Sequence, residues 1–156
     1  MAAHILGELI MRILLAAAIL LPFAATPAAA QQWYRVGGND NTMSYVDLTS
    51  LRPLGDKIIG DVESVYIQAL DGGIIAAKIR TEFNCQAKTF RTLEYSFYAA
   101  GGKFLRTEPS ETINQVKAPK PNSINEAIMD FACFRKGGTA VADPITDAPG
   151  QFQTAG

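Results

Sequence analysis

From Gln31 to Gly156 the sequence contains no histidine; the single one, His4, stands near the N-terminus. Imidazole is the commonest general base near neutral pH and a standard zinc ligand, so most hydrolase and metal chemistries lose their usual instrument. Cysteine is scarce, with Cys85 and Cys133 alone among 156 residues and no C-x-x-C pair. A redox-active or nucleophilic thiol asks for that spacing or a neighbouring histidine, and structural zinc asks for four ligands. No basic run exceeds two residues and the formal net charge is −1, so no global field steers nucleic acid. Carboxylates such as Glu82, Glu94, Glu108 and Glu111 are present, but none is paired with another in an apolar setting that would split their pKa values. The expectation is a non-catalytic protein without metal or cofactor.

What is present begins with an export signal. Arg12 supplies a positive start, Ile13 to Phe23 an apolar core, Pro22 a helix break, and Ala28 and Ala30 the small residues of a cleavage site. Residues 1–30 are therefore expected to be a cleaved leader, with Met11 the expected true start because no Lys or Arg precedes it. The apolar run falls short of the roughly 18 residues a membrane span needs. With no cysteine beside Ala30 for lipidation, the expectation is an exported protein, periplasmic or secreted, without a membrane anchor. The leader takes away Glu8 and Arg12, one charge of each sign, so the balance stays at −1. What remains is one domain's worth of chain.

Period-two patterning dominates the middle. "WYRVG" and "TMSYVDLTSL" read as short strands around "GGNDN", and "KIIGDVESVYIQAL" and "GIIAAKIRTEFNC" flank Asp71-Gly72-Gly73, a hairpin turn. Ile75, Ala77, Ile79, Thr81, Phe83 and Cys85 share one face, with Ala76, Lys78, Arg80, Glu82 and Asn84 on the other. Cys85 thus points at the core. "LEYSFY" and "KFLRTE", joined through Gly101-Gly102, continue an antiparallel meander.

After the proline-broken "KAPKPN", Ile124, Ala127, Ile128 and Phe131 take helical spacing behind a Ser123 and Glu126 capping box, and Gly137-Gly138 is the expected stop. So short a helix must dock its apolar stripe on the sheet. Residues 31–138 are the expected α+β domain, and 139–156, small, proline-bearing and acidic, the expected disordered tail.

An exported chain matures in an oxidising space, where an even cysteine count reads as a disulfide. Cys85 faces the side the helix should cover and Cys133 sits in the last helical turn. One detail resists: at 100° per residue Cys133 lies about 180° from Ile124, opposite the stripe. Either the last turn unwinds, or the helix end rolls over the sheet edge.

The order of these parts resembles the surface-adhesin protein E family. The resemblance rests on Trp33-Tyr34, "YVDLTSL", "IRTEFNC" ending in Cys85, the aromatic strand "LEYSFY" before a glycine turn, and "INEAIMDFACF" with Cys133. It implies a six-stranded antiparallel sheet with one C-terminal helix tied to it by the disulfide, and a function in binding extracellular-matrix and serum proteins.

The candidate partner-binding residues are Lys78, Arg80, Lys88 and Arg91, clustered around Cys85 in the strand region where the family's ligand-binding stretch lies. Cations on an exposed strand also serve any edge against sheet-to-sheet pairing. Tyr95 and Phe97 are expected in the core, since they alternate with polar neighbours, Trp33 at one end of it, and Asp47 as a turn or cap residue. The functional expectation is an adhesin-like module that contacts a protein partner through its sheet, with a homodimer through edge strands as a further use. The alternative is a periplasmic envelope or housekeeping protein with no host ligand.

Overall fold

The computed structural model describes residues 30–153, so the expected leader lies outside the described residues apart from Ala30. The chain runs through β1 (Trp33–Gly38), β2 (Thr42–Asp47), β3 (Arg52–Leu54), β4 (Lys57–Leu70), β5 (Ile74–Asn84), β6 (Thr89–Ala99) and β7 (Lys103–Pro109). Helix α1 (Ile124–Phe134), strand β8 (Thr139–Val141) and helix α2 (Pro144–Gln153) follow. The strands form one antiparallel sheet in the order β7-β6-β5-β4-β2-β1-β8, with β3 also paired to β4. The expected α+β meander is there, but the sheet has eight strands, not six, and a second helix joins the first.

Both extra strands are three residues long, too short to display alternation, and they exist because a neighbour pairs with them. Pro53 sits in β3, a position that pattern reading rejects for a strand. The long hairpin of β4 and β5 closes as its glycines require: Gly72 and Gly73 stand at φ 78° and 75°, with Leu70 opposite Ile74.

The expectation of a disordered tail is overturned. Past Gly138 the chain pairs as β8 on β1, then forms α2, whose Asp143 side chain accepts from the Thr146 amide at 2.9 Å. Pro149 and Gly150 fall inside or near the end of this helix and disfavour it locally by about 3 and 1 kcal/mol. Tertiary packing outweighs them: Ala148 is fully buried, and Ile145 and Phe152 pack beside Trp33, Tyr45, Val65 and Ala76.

Each helix covers a different face of the sheet. Under α1 lie Val46, Val62 and Phe83, packed with Ile128, Met129, Phe131 and Ala132. Under α2 lies the second apolar cluster, and further along the same face stand the charged residues of β4 and β5. Trp33 is buried there, at one end of the sheet as expected.

Helix α1 begins at Ser123, whose hydroxyl accepts from the Glu126 amide at 3.2 Å. Glu126 reaches back one residue further than a standard capping box, to the Asn122 amide at 2.6 Å. The helix stops before the expected glycines: Arg135 takes a left-handed conformation (φ 56°), and its side chain hydrogen-bonds to the carbonyls of Phe131 and Ala132. Gly138, at φ 84°, then passes so close to the Phe131 ring that a Cβ there would lie 2.9 Å from it.

Cys85 and Cys133 form the disulfide, with Cα atoms 5.6 Å apart. The angular objection resolves through the helix face actually buried. Met129 and Ala132 join Ile128 and Phe131 against the sheet, which turns the buried stripe by about 60° toward Cys133. The cysteine stands at the flank of the contact, not opposite it.

Candidate functional site

Helix α1 packs on β1, β2, β4 and part of β5, and α2 on β2 and β4; neither packs along β6 or β7. Beyond them the sheet is open. On the α1 face of this open end, cross-strand register sets Tyr95 beside Ile79 and Phe97 beside Arg106. The Tyr95 and Phe97 rings stack 5.9 Å apart at 10°, and the Arg106 guanidinium lies 4.8 Å over the Phe97 ring. Arg106 also donates to Glu108 at 3.1 Å. Tyr95 and Phe97, expected in the core, are therefore half-buried surface residues. Alternation places a side chain on a face; it does not reveal whether a helix extends far enough to cover it.

Three of the four candidate cations, Lys78, Arg80 and Arg91, lie on the opposite face, and Lys88 stands in the turn between β5 and β6 at φ 53°. They do not form a basic patch. Arg80 donates to both carboxylate oxygens of Asp61, at 3.0 and 3.3 Å, and Arg91 to both of Glu82, at 2.9 and 3.1 Å. Lys57 adds a second cation 3.5 Å from Glu82. The hydrogen bonds from Arg91 hold the Glu82 carboxyl below its ordinary range, and those to Asp61 push the Arg80 guanidinium up. Lys78 lies opposite Glu63. The result is a lattice of alternating sign across β4, β5 and β6, in which Arg80 and Arg91 each meet a carboxylate from the neighbouring strand.

Glu63 is the outlier of this lattice. It is 7% exposed, and burial, with the negative charge of Asp143 added, pushes its carboxyl up to about 7 against the opposing pull of Lys78. Beside it in register, Tyr45 is fully buried. The Tyr45 hydroxyl donates to Asp147 Oδ2 at 2.8 Å, and Arg35 Nη1 donates to both Asp147 oxygens at 2.8 and 2.7 Å. Burial first, then the bond to Asp147, pushes the Tyr45 phenol well above its ordinary value. This clasp fastens α2 to β1 and β2. Nothing in the sequence announces it, because Asp147 meets Arg35 across 112 positions.

Asp47 behaves as a cap: its Oδ1 accepts from the amides of Gln32 and Thr49, both at 3.0 Å, and from the Thr49 hydroxyl at 2.7 Å. No cluster of three or more His, Cys, Asp or Glu side chains able to hold a metal occurs among the described residues.

A groove of about 580 Å³ opens on the α1 face between the N-terminus of that helix and the sheet. Ser44, Ser64, Thr81 and Thr92 line its floor, Phe83 and Phe90 one wall, and Asn122 and Asn125 its mouth. Sequence reading missed it, since it depends on where the helix begins over the sheet.

Against known families, the model for surface-adhesin protein E matches residues 33–134. No curated protein and no solved structure matches the chain.

Proposed function

Because this chain belongs to the surface-adhesin protein E family, we infer that it is an exported, adhesin-like binding module that contacts another macromolecule through its sheet and carries no catalysis. The observation behind this reading is the open end of the sheet. Strand β7 is an edge strand of seven residues with six of them exposed, and an unpaired strand edge is a template for a partner's backbone. Tyr95, Phe97 and Arg106 lie on the surface next to it, and aromatic and arginine side chains dominate the energetics of protein interfaces. Lys78, Arg80 and Arg91 stand on the opposite face of the same strands and Lys88 in the β5–β6 turn. With Arg80 and Arg91 committed to carboxylates, their part is to orient a partner and to speed its approach.

The test is binding of the purified exported protein to immobilised extracellular-matrix and serum proteins. Saturable binding to at least one, lost in Phe97→Ala and Arg106→Ala but not in Asp47→Asn, is the expected result. Binding unchanged in both open-end variants overturns the assignment of the surface. Protease treatment of intact cells then separates the two readings of residence: digestion places the protein outside, whereas protection together with release by osmotic shock selects the periplasmic envelope or housekeeping role. Sedimentation of Arg106→Pro against the parent tests whether the β7 edge also joins two copies, since proline removes a ladder donor.

A further inference from the structure

A sheet face that meets a helix is normally tiled with large apolar side chains, because a void forfeits dispersion contacts. Under the N-terminus of α1 the sheet presents Ser44, Ser64, Thr81 and Thr92, one from each of β2, β4, β5 and β6, interleaved with Val62 and Ile79. Ser44 and Thr81 are nearly inaccessible, at 2% and 4% exposure. Register brings Ser44 opposite Ser64, their hydroxyls 3.5 Å apart, and Thr81 opposite Thr92, of which Thr81 donates to the Ile79 carbonyl at 3.3 Å and Thr92 pairs with the Ser110 hydroxyl at 2.8 Å. Leucine at the partly exposed Ser64 would fill the hollow. The groove exists because small polar residues stand there.

The lining specifies a chemistry. No residue around the groove carries a charge, so an ionic ligand would lose its hydration without gaining a counter-charge. Hydroxyls and carboxamides both donate and accept, and Asn122 and Asn125 add exposed amides at the mouth. Phe83 and Phe90 are cross-strand partners that give the same groove an apolar side. A ring bearing neutral hydroxyls around its rim and C–H groups on its faces satisfies both demands. A volume of about 580 Å³ falls in the range of small-molecule sites, roughly 300–1,000 Å³. An extended peptide finds its backbone partners at the β7 edge, which does not line this groove.

We propose that the groove between the N-terminus of α1 and the hydroxyl-lined sheet is a binding site for a neutral saccharide of one or two rings. It is independent of the macromolecular contact at the open end, and either can fail alone.

The experiment is saturation-transfer NMR and titration calorimetry of the exported protein with N-acetylglucosamine, lactose and, as the charged control, 3′-sialyllactose. At least one neutral sugar is expected to bind saturably, with sialyllactose no tighter than lactose. Ser64→Leu, which fills the hollow, is expected to weaken binding about tenfold or more, the equivalent of ~1.4 kcal/mol, with the melting temperature unchanged or raised. Asn125→Ala, at an exposed position that leaves the core alone, is expected to weaken binding in the same direction, and it serves as the reading if Ser64→Leu does not fold. Absence of binding by both neutral sugars, preference for sialyllactose, or undiminished binding in the folded variants overturns the proposal. So does a neutral Ser- and Thr-containing peptide that displaces the sugar at lower concentration.

Discussion

At one end of the sheet, β1, β2 and β4 are sandwiched between α1 and α2; at the other, neither α1 nor α2 runs along β6 and β7. The two ends are held by different forces. The covered end buries Val46, Val62, Phe83 and Phe131 on one face and Trp33, Tyr45 and Ala148 on the other. It is closed further by one covalent bond and by the clasp of Asp147 with Arg35 and Tyr45. The open end relies on the ion pair that ties Arg91 of β6 to Glu82 of β5 and on rings stacked in partial contact with water. Such pairs contribute little each. Stability concentrates where the helices are, which leaves the open end free to vary.

Removing one of the two helical covers costs the most stability. Truncation after Gly138 deletes β8 and α2 and uncovers Trp33, Tyr45, Val65 and Ala76; the expected loss is on the order of 5 kcal/mol in urea denaturation, from several side chains each contributing about 1.5–3 kcal/mol. An unchanged midpoint would mean that α2 does not share the core.

Next in size is the staple on the other face. Cys85→Ser and Cys133→Ser should each lower the stability of the oxidised protein by about 4 kcal/mol, as the chain-entropy estimate gives for a 48-residue separation. The double variant should match either single. Strongly unequal singles would assign one thiol a separate task.

A smaller effect sharpens the role of Glu63, which lies at the boundary between the two regions. Its carboxyl is raised to about 7 in the folded protein from 4.5. The folded state therefore holds a proton that the unfolded chain has released between these values, and stability falls as pH rises from about 4.5 to about 7, then stays low. At about 1.4 kcal/mol for each pH unit the cost above pH 7 reaches roughly 3 kcal/mol. Glu63→Gln should flatten that slope and stabilise the protein at pH 8, measured by thermal denaturation across the range. A parallel slope in the variant would show that another group titrates.

The smallest effect is expected at the open end. Phe97→Ala should cost about 1 kcal/mol or less, because the ring is only half-buried, while Phe83→Ala, nearly fully buried at 1% exposure, should cost about 3–5 kcal/mol. Equal losses at the two positions would erase the distinction between a packed end and a free one.

Much of this arrangement is legible in the residues. Alternation in β5 placed Cys85, Ile79 and Phe83 on one face, and the spacing of Ile124, Ile128 and Phe131 identified the helix that covers them. Asp71-Gly72-Gly73 marked the hairpin, since positive φ at two successive positions selects glycine. The cations were legible as a group but not as a lattice, because the carboxylates that answer them come from neighbouring strands. Tyr95 and Phe97 were legible as sharing a face, yet the shadow of the helix ends before it reaches them.

The residues by themselves determined the local periods, the turns, the cap at Ser123 and the availability of two cysteines for one bond, all of which depend on neighbours within a few positions. Only the tertiary structure decided that Pro149 is tolerated in a helix, that three-residue segments become β3 and β8, that Asp147 meets Arg35 and Tyr45, and that a polar groove opens under α1. Each of these depends on surfaces brought together from distant parts of the chain, where burial and long-range pairing outweigh the preferences of any single segment.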